Sequence, residues 1–188
     1  MVRVALWLLF AAYLGFIGFA YATERLFYGE VVHLTGLRAV QFLVATFALG
    51  AITRVFRRAR WPKLLLRFRR DLGLMVFFLA AAHTAVYVQR HDNARIASEA
   101  VTGEYGTGWI ALIVFLLLAL TSNNASVRRL GRNWKRLHRL AYAAAGLSLA
   151  HWWLTAFDPM VATPYVAATI AVLVAAPIVS ALRRSPGD

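Results

Sequence analysis

The sequence predicts an all-α integral membrane protein in which six transmembrane helices form one bundle. Of its 188 residues, 61% are hydrophobic, whereas a soluble domain is closer to half apolar. The excess is clustered in six runs, each expected to cross a hydrocarbon core of roughly 30 Å. We therefore expect a single membrane domain over residues 1–188, with no separate soluble domain. The absence of Cys excludes disulfides, thiolate zinc sites, iron–sulfur clusters and cysteine nucleophiles.

The charged residues predict the orientation of the bundle. The net charge is +13, and most Lys and Arg lie in alternate connections and at the termini, while six of the eight acidic residues lie in the other connections. Cytoplasmic loops collect Lys and Arg, so both termini and the two basic connections are expected to be cytoplasmic. Attraction to membrane lipid headgroups explains this charge, and no nucleic acid partner is expected. The basic segments are Arg3, residues 54–70, residues 128–139, Arg183 and Arg184.

The predicted spans follow the apolar runs in chain order. Pro62 interrupts the second connection, and Pro159 and Pro164 bracket a turn between the last two spans. Asp71, directly before the third span, is predicted as its N-cap. The spans cover residues 4–21, 39–52, 72–88, 108–121, 140–157 and 161–182.

The first span has two interpretations. Arg3, the apolar run and the small residues of Ala20-Tyr21-Ala22 are typical of a signal peptide with its cleavage site. The run is longer than the apolar core of most signal peptides. We therefore favour a retained transmembrane helix.

Two histidines stand inside predicted spans, where ionisable groups are costly and are functional candidates. His83 lies in the third span and His151 in the fifth, and both spans run outward from the cytoplasm. At 1.5 Å per residue, His83 lies about 21 Å outward of Arg69. By the same rise, His151 lies about 20 Å outward of His138. Two imidazoles at similar depth, facing each other across a bundle, are what a haem iron needs as axial ligands.

Small side chains accompany both histidines in the sequence. Such residues let a flat macrocycle lie close to the backbone, but they also permit tight helix packing, with the histidines hydrogen-bonded to neighbouring helices. Because two histidines share one depth and one kind of setting, we favour haem. The small residues are residues 80–82, Thr84, residues 143–146, Ser148 and Ala150.

Several stretches around these histidines resemble the ferric-reductase-like transmembrane superfamily. RRDLGL (residues 69–74), with His83 ten residues after its glycine, resembles the third helix of that superfamily. LGRNWKRLH (residues 130–138), followed by Tyr142 and His151, is similar to its fifth helix, and Thr121-Ser122 fits the end of its fourth. HLTG (residues 33–36) resembles one branch, the MsrQ (YedZ-type) haem-binding membrane subunits.

The resemblance implies a b-type haem electron-transfer subunit in the bacterial inner membrane. Such a subunit takes electrons from the quinone pool or a cytoplasmic flavin reductase and passes them to a periplasmic molybdopterin methionine sulfoxide reductase of the MsrP type. His83 and His151 are then the ligands of one haem b, and His138 is a candidate ligand of a second, inner haem. Some relatives are described as flavin-binding, which makes FMN a further candidate cofactor.

The chain departs from the wider superfamily at the inner site. Oxidase-type members carry two histidines about fourteen residues apart on the third helix, whereas here the position fourteen before His83 is Arg69. A guanidinium donates hydrogen bonds and does not accept them. We therefore expect Arg69 or Arg70 to bind a haem propionate or to anchor the cytoplasmic end of the span.

His138 raises a question of helical phase. Thirteen residues on a regular helix miss a common face by about 140°. His138 and His151 therefore share one face only if the fifth helix is distorted, for instance near Gly146. The alternative is that His138 precedes the regular helix.

Trp134 and His33 complete the candidate residues. Trp134, in a basic connection, is an interfacial aromatic anchor or, by its place in the motif, a residue packed near the inner site. His33, at the outer end of the second span, is an interfacial histidine or a hydrogen-bonding partner of a quinol. His91, in an outer polar connection, is expected to be solvated.

Three functions compete on the sequence. The first is the electron-transfer subunit, which is not expected to be a complete enzyme by itself. The second is a ferric or superoxide-generating reductase of the same superfamily, which normally carries its own flavin and NADPH domain. The third is a non-redox haem carrier or membrane assembly factor. Sharp reduced-minus-oxidised haem bands would separate the third function from the other two.

Overall fold

The computed structural model describes residues 1–56, 59–156 and 158–182, and over these residues it contains helices and no strand. Arg57, Arg58, Arg183 and Arg184 of the predicted basic segments lie outside the described residues. Two short 3-10 turns, Leu66–Phe68 and Pro159–Val161, join longer helices. The helices are α1 (Val2–Ala22), α2 (Tyr28–Val55), α3 (Trp61–Leu65), α4 (Arg69–Arg90), α5 (Asn93–Ala100), α6 (Gly103–Leu120), α7 (Asn124–Leu130), α8 (Arg132–Leu137), α9 (Leu140–Thr155) and α10 (Thr163–Leu182).

Six of these helices correspond to the six predicted spans. Within the described residues, four helical segments are long and apolar enough to cross a membrane: α1, α2, the stretch Trp61–Arg90 that runs from α3 through α4, and α6. The remaining two are α9, which has 16 residues, and α10, whose described apolar stretch is Thr163–Val172. The all-helical membrane architecture is therefore confirmed, while the count of six spans and the side of the termini stay predictions.

Two antiparallel helix pairs form the centre of the bundle. α2 packs along α4, α6 packs along α9, and α10 covers α2. The core between the pairs is apolar, and large apolar side chains such as Leu8, Phe16 and Ile110 are exposed on the surface of the bundle. The buried core residues are Leu43, Phe47, Val76, Ala111, Phe115, Leu118, Ala144 and Ala145.

The first turn of α4 corrects one prediction. α4 begins at Arg69 after the helical residues of α3 and the 3-10 turn, and its N-cap is Phe68. Asp71 is therefore the third residue of the helix, and its prediction as the N-cap is wrong. Its carboxylate, 2% exposed, accepts hydrogen bonds from the Arg3 guanidinium at 2.9 and 2.8 Å and from the Trp7 indole at 3.1 Å. The carboxylate thus joins α4 to α1 instead of capping α4.

α2 begins eleven residues earlier than the predicted second span. Its first turn is closed by the Glu30 carboxylate, which accepts a hydrogen bond from the Phe27 backbone N–H at 2.8 Å. Two further turns of helix therefore precede the apolar run. These turns carry His33 and Gly36, which the sequence placed at or outside the end of the span.

Candidate functional site

A cavity of about 520 Å³ opens between α2, α4, α6 and α9. Its walls are mostly apolar, and three histidines line it: His33 from α2, His83 from α4 and His151 from α9. The ring centres of His83 and His151 lie 6.2 Å apart, and the two ring planes are nearly perpendicular at 88°. The structure thus brings the two intramembrane histidines together in one cavity.

Each of these two imidazoles is hydrogen-bonded to a backbone carbonyl of a neighbouring helix. His83 Nδ1 lies 3.0 Å from the Val32 carbonyl oxygen, and His151 Nδ1 lies 2.8 Å from the Glu104 carbonyl oxygen. A carbonyl only accepts, so Nδ1 carries the proton in both rings. The lone pair of each neutral imidazole is therefore on Nε2, which is free to bind a metal.

A glycine lies directly beneath each imidazole. A Cβ added at Gly36 on α2 would lie 3.2 Å from His83 Nδ1. A Cβ added at Gly108 on α6 would lie 2.9 Å from His151 Nδ1 and 3.1 Å from its Cγ. All three distances are shorter than ordinary van der Waals contact between carbon and a ring atom.

Aromatic side chains continue from His151 toward the outer connection. The Tyr105 ring lies 6.2 Å from the His151 ring and stacks on Tyr87 at 5.6 Å. The Tyr87 hydroxyl donates a hydrogen bond to the Glu99 carboxylate, which also accepts one from Arg95 at 2.7 Å. The Tyr87 and Arg95 hydrogen bonds hold the pKa of Glu99 below its ordinary value. This network fixes α5 over the end of α4.

His91 belongs to the same outer cluster and does not line the cavity. Its Nδ1 lies 2.9 Å from the Tyr87 carbonyl oxygen, and its ring lies 4.7 Å from the Tyr87 ring. The ring of Tyr28 lies 5.8 Å from it. The expectation that His91 is merely solvated is therefore wrong, because the half-buried imidazole contacts a carbonyl and two aromatic rings.

The remaining predicted residues lie at the other end of the bundle. The His138 ring stacks on Trp134 at 3.9 Å, and its Nε2 lies 3.1 Å from the Thr121 hydroxyl. The Trp134 indole donates to the Thr121 carbonyl at 2.9 Å. Burial and the nearby Arg69 guanidinium lower the pKa of His138 below its ordinary value. The structure thus joins His138 and Trp134 in one cluster, apart from the cavity.

The two arginines of the RRDLGL stretch also lie apart from the cavity. The Arg69 guanidinium lies over Gly50 of α2, where a Cβ would be 3.7 Å from its Cζ. Arg70 donates to the Ser122 carbonyl and, at 3.1 Å, to the Asn124 side chain. Arg70 therefore fastens the connection after α6 to the start of α4.

The phase question at His138 is settled by where the helix begins. His138 follows α8 as its C-cap, and α9 starts at Leu140. His138 therefore precedes the regular helix, as the second of the two alternatives predicted. α9 runs without a break through Gly146 to Thr155.

Comparison with known proteins identifies the family. The family model of the ferric reductase like transmembrane component matches residues 35–149. The chain belongs to this family. Its matched segment contains α4, α6 and most of α2 and α9, the four helices around the cavity. The resemblance predicted from the sequence is therefore confirmed.

Within the ferric reductase like transmembrane family, the similar curated proteins are of the MsrQ type. The chain is 39% identical over 134 residues to the protein-methionine-sulfoxide reductase heme-binding subunit MsrQ of Xanthomonas euvesicatoria pv. vesicatoria, covering 69% of this chain and 60% of that protein. It is 37% identical over 126 residues to the protein of the same name from Rhizobium meliloti, covering 65% and 56%. The chain thus aligns with about 60% of the length of the curated relatives. No solved structure matches it.

Sequence reasoning missed the residues that hold the two imidazoles. Gly108 marks only the start of a predicted span, and backbone carbonyls carry no sequence signal at all. One signal was available. Gly is a poor helix former, yet Gly36 lies within α2 and Gly108 within α6. A helical glycine without a cap role often marks a close approach by another group.

Proposed function

We propose that the chain is a haem b electron-transfer subunit and that His83 and His151 are the two axial ligands. The observation that carries this proposal is the pair of imidazoles, 6.2 Å apart between ring centres, in one largely apolar cavity. The names of the MsrQ relatives, which describe heme-binding subunits of a methionine sulfoxide reductase, support it.

The residues fit the proposed group in spacing and volume. His83 and His151 would hold the metal of this group through their Nε2 atoms, since both rings line the same cavity, their ring centres lie 6.2 Å apart, and both Nδ1 atoms are engaged by carbonyls. The cavity of about 520 Å³ lies within the range of roughly 300–1,000 Å³ for cofactor pockets.

Bound haem would supply a one-electron carrier, and the chain's residues prepare its site. The Val32 and Glu104 carbonyls hold the Nδ1 protons, which leaves both Nε2 lone pairs available and raises the basicity of the ligands. The mostly apolar side chains of the cavity wall lower the local dielectric around the ligands. Both effects favour stable ligation by two neutral imidazoles.

The direction of electron flow follows from the proposed topology. With six spans and both termini in the cytoplasm, the His83–His151 site lies toward the periplasmic side of a bacterial inner membrane. Electrons would be taken from a quinone or a cytoplasmic flavin reductase and delivered to a periplasmic molybdopterin reductase of the MsrP type. His33, which lines the cavity, is the candidate quinol contact.

A second, inner site belongs to the proposal in a weaker form. His138 is the candidate ligand for an inner haem, with Arg69 or Arg70 as a propionate partner and Trp134 packed beside it. In the present geometry, the Nε2 of His138 is engaged by Thr121, so ligation there requires that hydrogen bond to break. We therefore expect weaker binding at His138 than at the cavity. No described residue set identifies a site for FMN.

Spectroscopy of the purified chain tests the principal site. Both imidazoles bind one iron in this proposal, so His83→Ala and His151→Ala should each abolish the same low-spin haem component. His91→Ala is the matched control, because His91 is also hydrogen-bonded to a carbonyl but lies outside the cavity lining, and it should keep the spectrum. A full low-spin spectrum in either of the first two variants would show that the ligand pair is wrong.

The same preparation separates the competing functions. If the chain purifies without haem from cells that make haem, the two redox functions are excluded and the non-redox alternative is favoured. Rapid reduction of the haem by NADPH alone would favour the ferric or superoxide-generating reductase. Reduction that requires a flavin reductase or a quinol is the result expected for the electron-transfer subunit.

A further inference from the structure

His83 and His151 are held by two copies of the same arrangement. His83 reaches the Val32 carbonyl and lies over Gly36, four residues later on α2. His151 reaches the Glu104 carbonyl and lies over Gly108, again four residues later, on α6. We call each carbonyl with its glycine an imidazole seat. The two seats are thus residues 32 and 36 on α2 and residues 104 and 108 on α6.

Helix geometry explains why the spacing is four in both seats. In an α-helix the carbonyl of residue i points along the axis toward the N–H of residue i+4. A side chain from another helix that donates to this carbonyl must therefore approach over residue i+4. A Cβ at that position stands in the path, and only glycine leaves the path open.

We propose that Gly36 and Gly108 are positioning residues for the two haem ligands. Each glycine lets an imidazole approach the helix closely enough to donate its Nδ1 proton to the carbonyl. This hydrogen bond fixes the position of the ring and selects the tautomer whose lone pair is on Nε2. This inference rests on the proposed function and deepens it, because the seats determine where a metal between the rings is bound.

The two seats differ in how much space they leave. At Gly108 an added Cβ would meet His151 at Nδ1, Cε1 and Cγ, at 2.9, 3.0 and 3.1 Å. Because Cγ itself is that close, rotating the ring does not relieve the contact, and the His151 side chain has to move as a whole. At Gly36 an added Cβ would meet only Nδ1 and Cε1 of His83, at 3.2 and 3.4 Å, so a small tilt of the ring suffices.

This difference gives an ordered expectation for alanine substitutions. Loss of a hydrogen bond to a metal-ligating histidine lowers metal affinity by about 10- to 100-fold. Gly108→Ala should therefore reduce haem affinity by about this factor and convert part of the remaining haem from low spin to high spin. Gly36→Ala should reduce affinity less than about tenfold while shifting the low-spin signal.

Helix α1 supplies matched controls. Gly15 and Gly18 lie within α1, and an added Cβ at either position meets no heavy atom within 4 Å. Gly15→Ala and Gly18→Ala therefore make the same chemical change in a helix that contributes no residue to the cavity lining. They should keep the haem content and spectrum of the unsubstituted chain.

The experiment measures haem titration, absorption and electron paramagnetic resonance of the detergent-purified full chain and the four variants. The expected result is loss in the order Gly108→Ala, then Gly36→Ala, with both controls unchanged. Two results would contradict the positioning role of Gly36 and Gly108. One is unchanged haem affinity and spin state in both seat variants, and the other is an equal loss of haem affinity in seat and control variants. If Gly108→Ala does not fold, Gly36→Ala still decides the matter. An unsubstituted chain that binds no haem would instead overturn the proposed function.

Discussion

The histidines of this chain differ in which ring nitrogen carries the proton. His83 and His151 donate from Nδ1 to carbonyls and keep Nε2 free. At His138 the situation is reversed. The Thr121 hydroxyl gives its own proton to the Leu117 carbonyl at 2.7 Å, so its oxygen accepts the proton of His138 Nε2. The Nε2 lone pairs of His83 and His151 are thus available, whereas Nε2 of His138 is engaged in a hydrogen bond.

Replacing His138 tests this distinction. His138→Ala should leave the low-spin spectrum of the His83–His151 site unchanged, because His138 does not line the cavity. The variant should slow reduction by a cytoplasmic flavin reductase, since it removes the group stacked on Trp134 at the inner end of the bundle. Stopped-flow absorption after donor addition measures both properties. Loss of all haem in this variant would place His138 in the principal site.

The pairing of His83 with His151 could be predicted from the sequence, and their seats could not. Depth follows from counting residues along two spans that run the same way, and this arithmetic needs only the helical rise. The acceptors are backbone carbonyls of α2 and α6, whose positions depend on how those helices slide against α4 and α9. Such register is a property of tertiary packing, which no local sequence pattern specifies.

Among the elements, α1 is joined to the bundle by a polar contact on an otherwise apolar helix. The Arg3 guanidinium binds both carboxylate oxygens of the buried Asp71, and Trp7 adds a third hydrogen bond. Bidentate arginine–carboxylate pairs are both stronger and more specific in direction than single hydrogen bonds. This contact supports the interpretation of α1 as a transmembrane helix of the bundle.

A double-mutant cycle at Arg3 and Asp71 tests the contact. Arg3→Ala should lower the unfolding temperature, because it leaves the buried Asp71 carboxylate without its charged partner. In an Asp71→Ala background the same change should have a clearly smaller effect. Arg128→Ala, at an exposed basic position, is the control and should be neutral. Thermal unfolding in detergent measures all four; equal effects of Arg3→Ala in both backgrounds would contradict the coupling.

The sequence predicts a helix end well where an apolar run ends there. It predicts a helix end poorly where polar residues determine it. Both ends of α1 and the C-terminal end of α6 agree with the predicted spans within two residues, since they end apolar runs. α6 begins five residues before its predicted span, because Thr102 caps a polar first turn. α2 starts eleven residues early because its first turns are polar and are stabilised by Glu30. Asp71 was assigned to a cap because an acid before an apolar run resembles one, and its partner Arg3 is distant in sequence.

On the scale of the whole molecule, one end of the bundle is polar and the opposite end is strongly basic. At the polar end, the cluster of Tyr87, Glu99 and Arg95 contains a balanced ion pair, whereas the connections that follow α2 and α6, at the other end, carry a large excess of Lys and Arg. The imidazole pair lies closer to the polar end, about 21 Å along α4 from Arg69. The sidedness of the membrane therefore decides the direction in which a carrier at this site would pass electrons.

Reporter fusions test this orientation. The excess of Lys and Arg should keep residues 54–70 and 128–139 in the cytoplasm, so a fusion after Arg129 should make a fluorescent protein that folds in the cytoplasm and an inactive alkaline phosphatase. A fusion after Arg95, within α5, should give active phosphatase. The two sites are adjacent connections, separated by α6 alone among the long helices, so each controls for the other. The opposite pattern would put the His83–His151 site on the cytoplasmic side and reverse the direction of electron transfer.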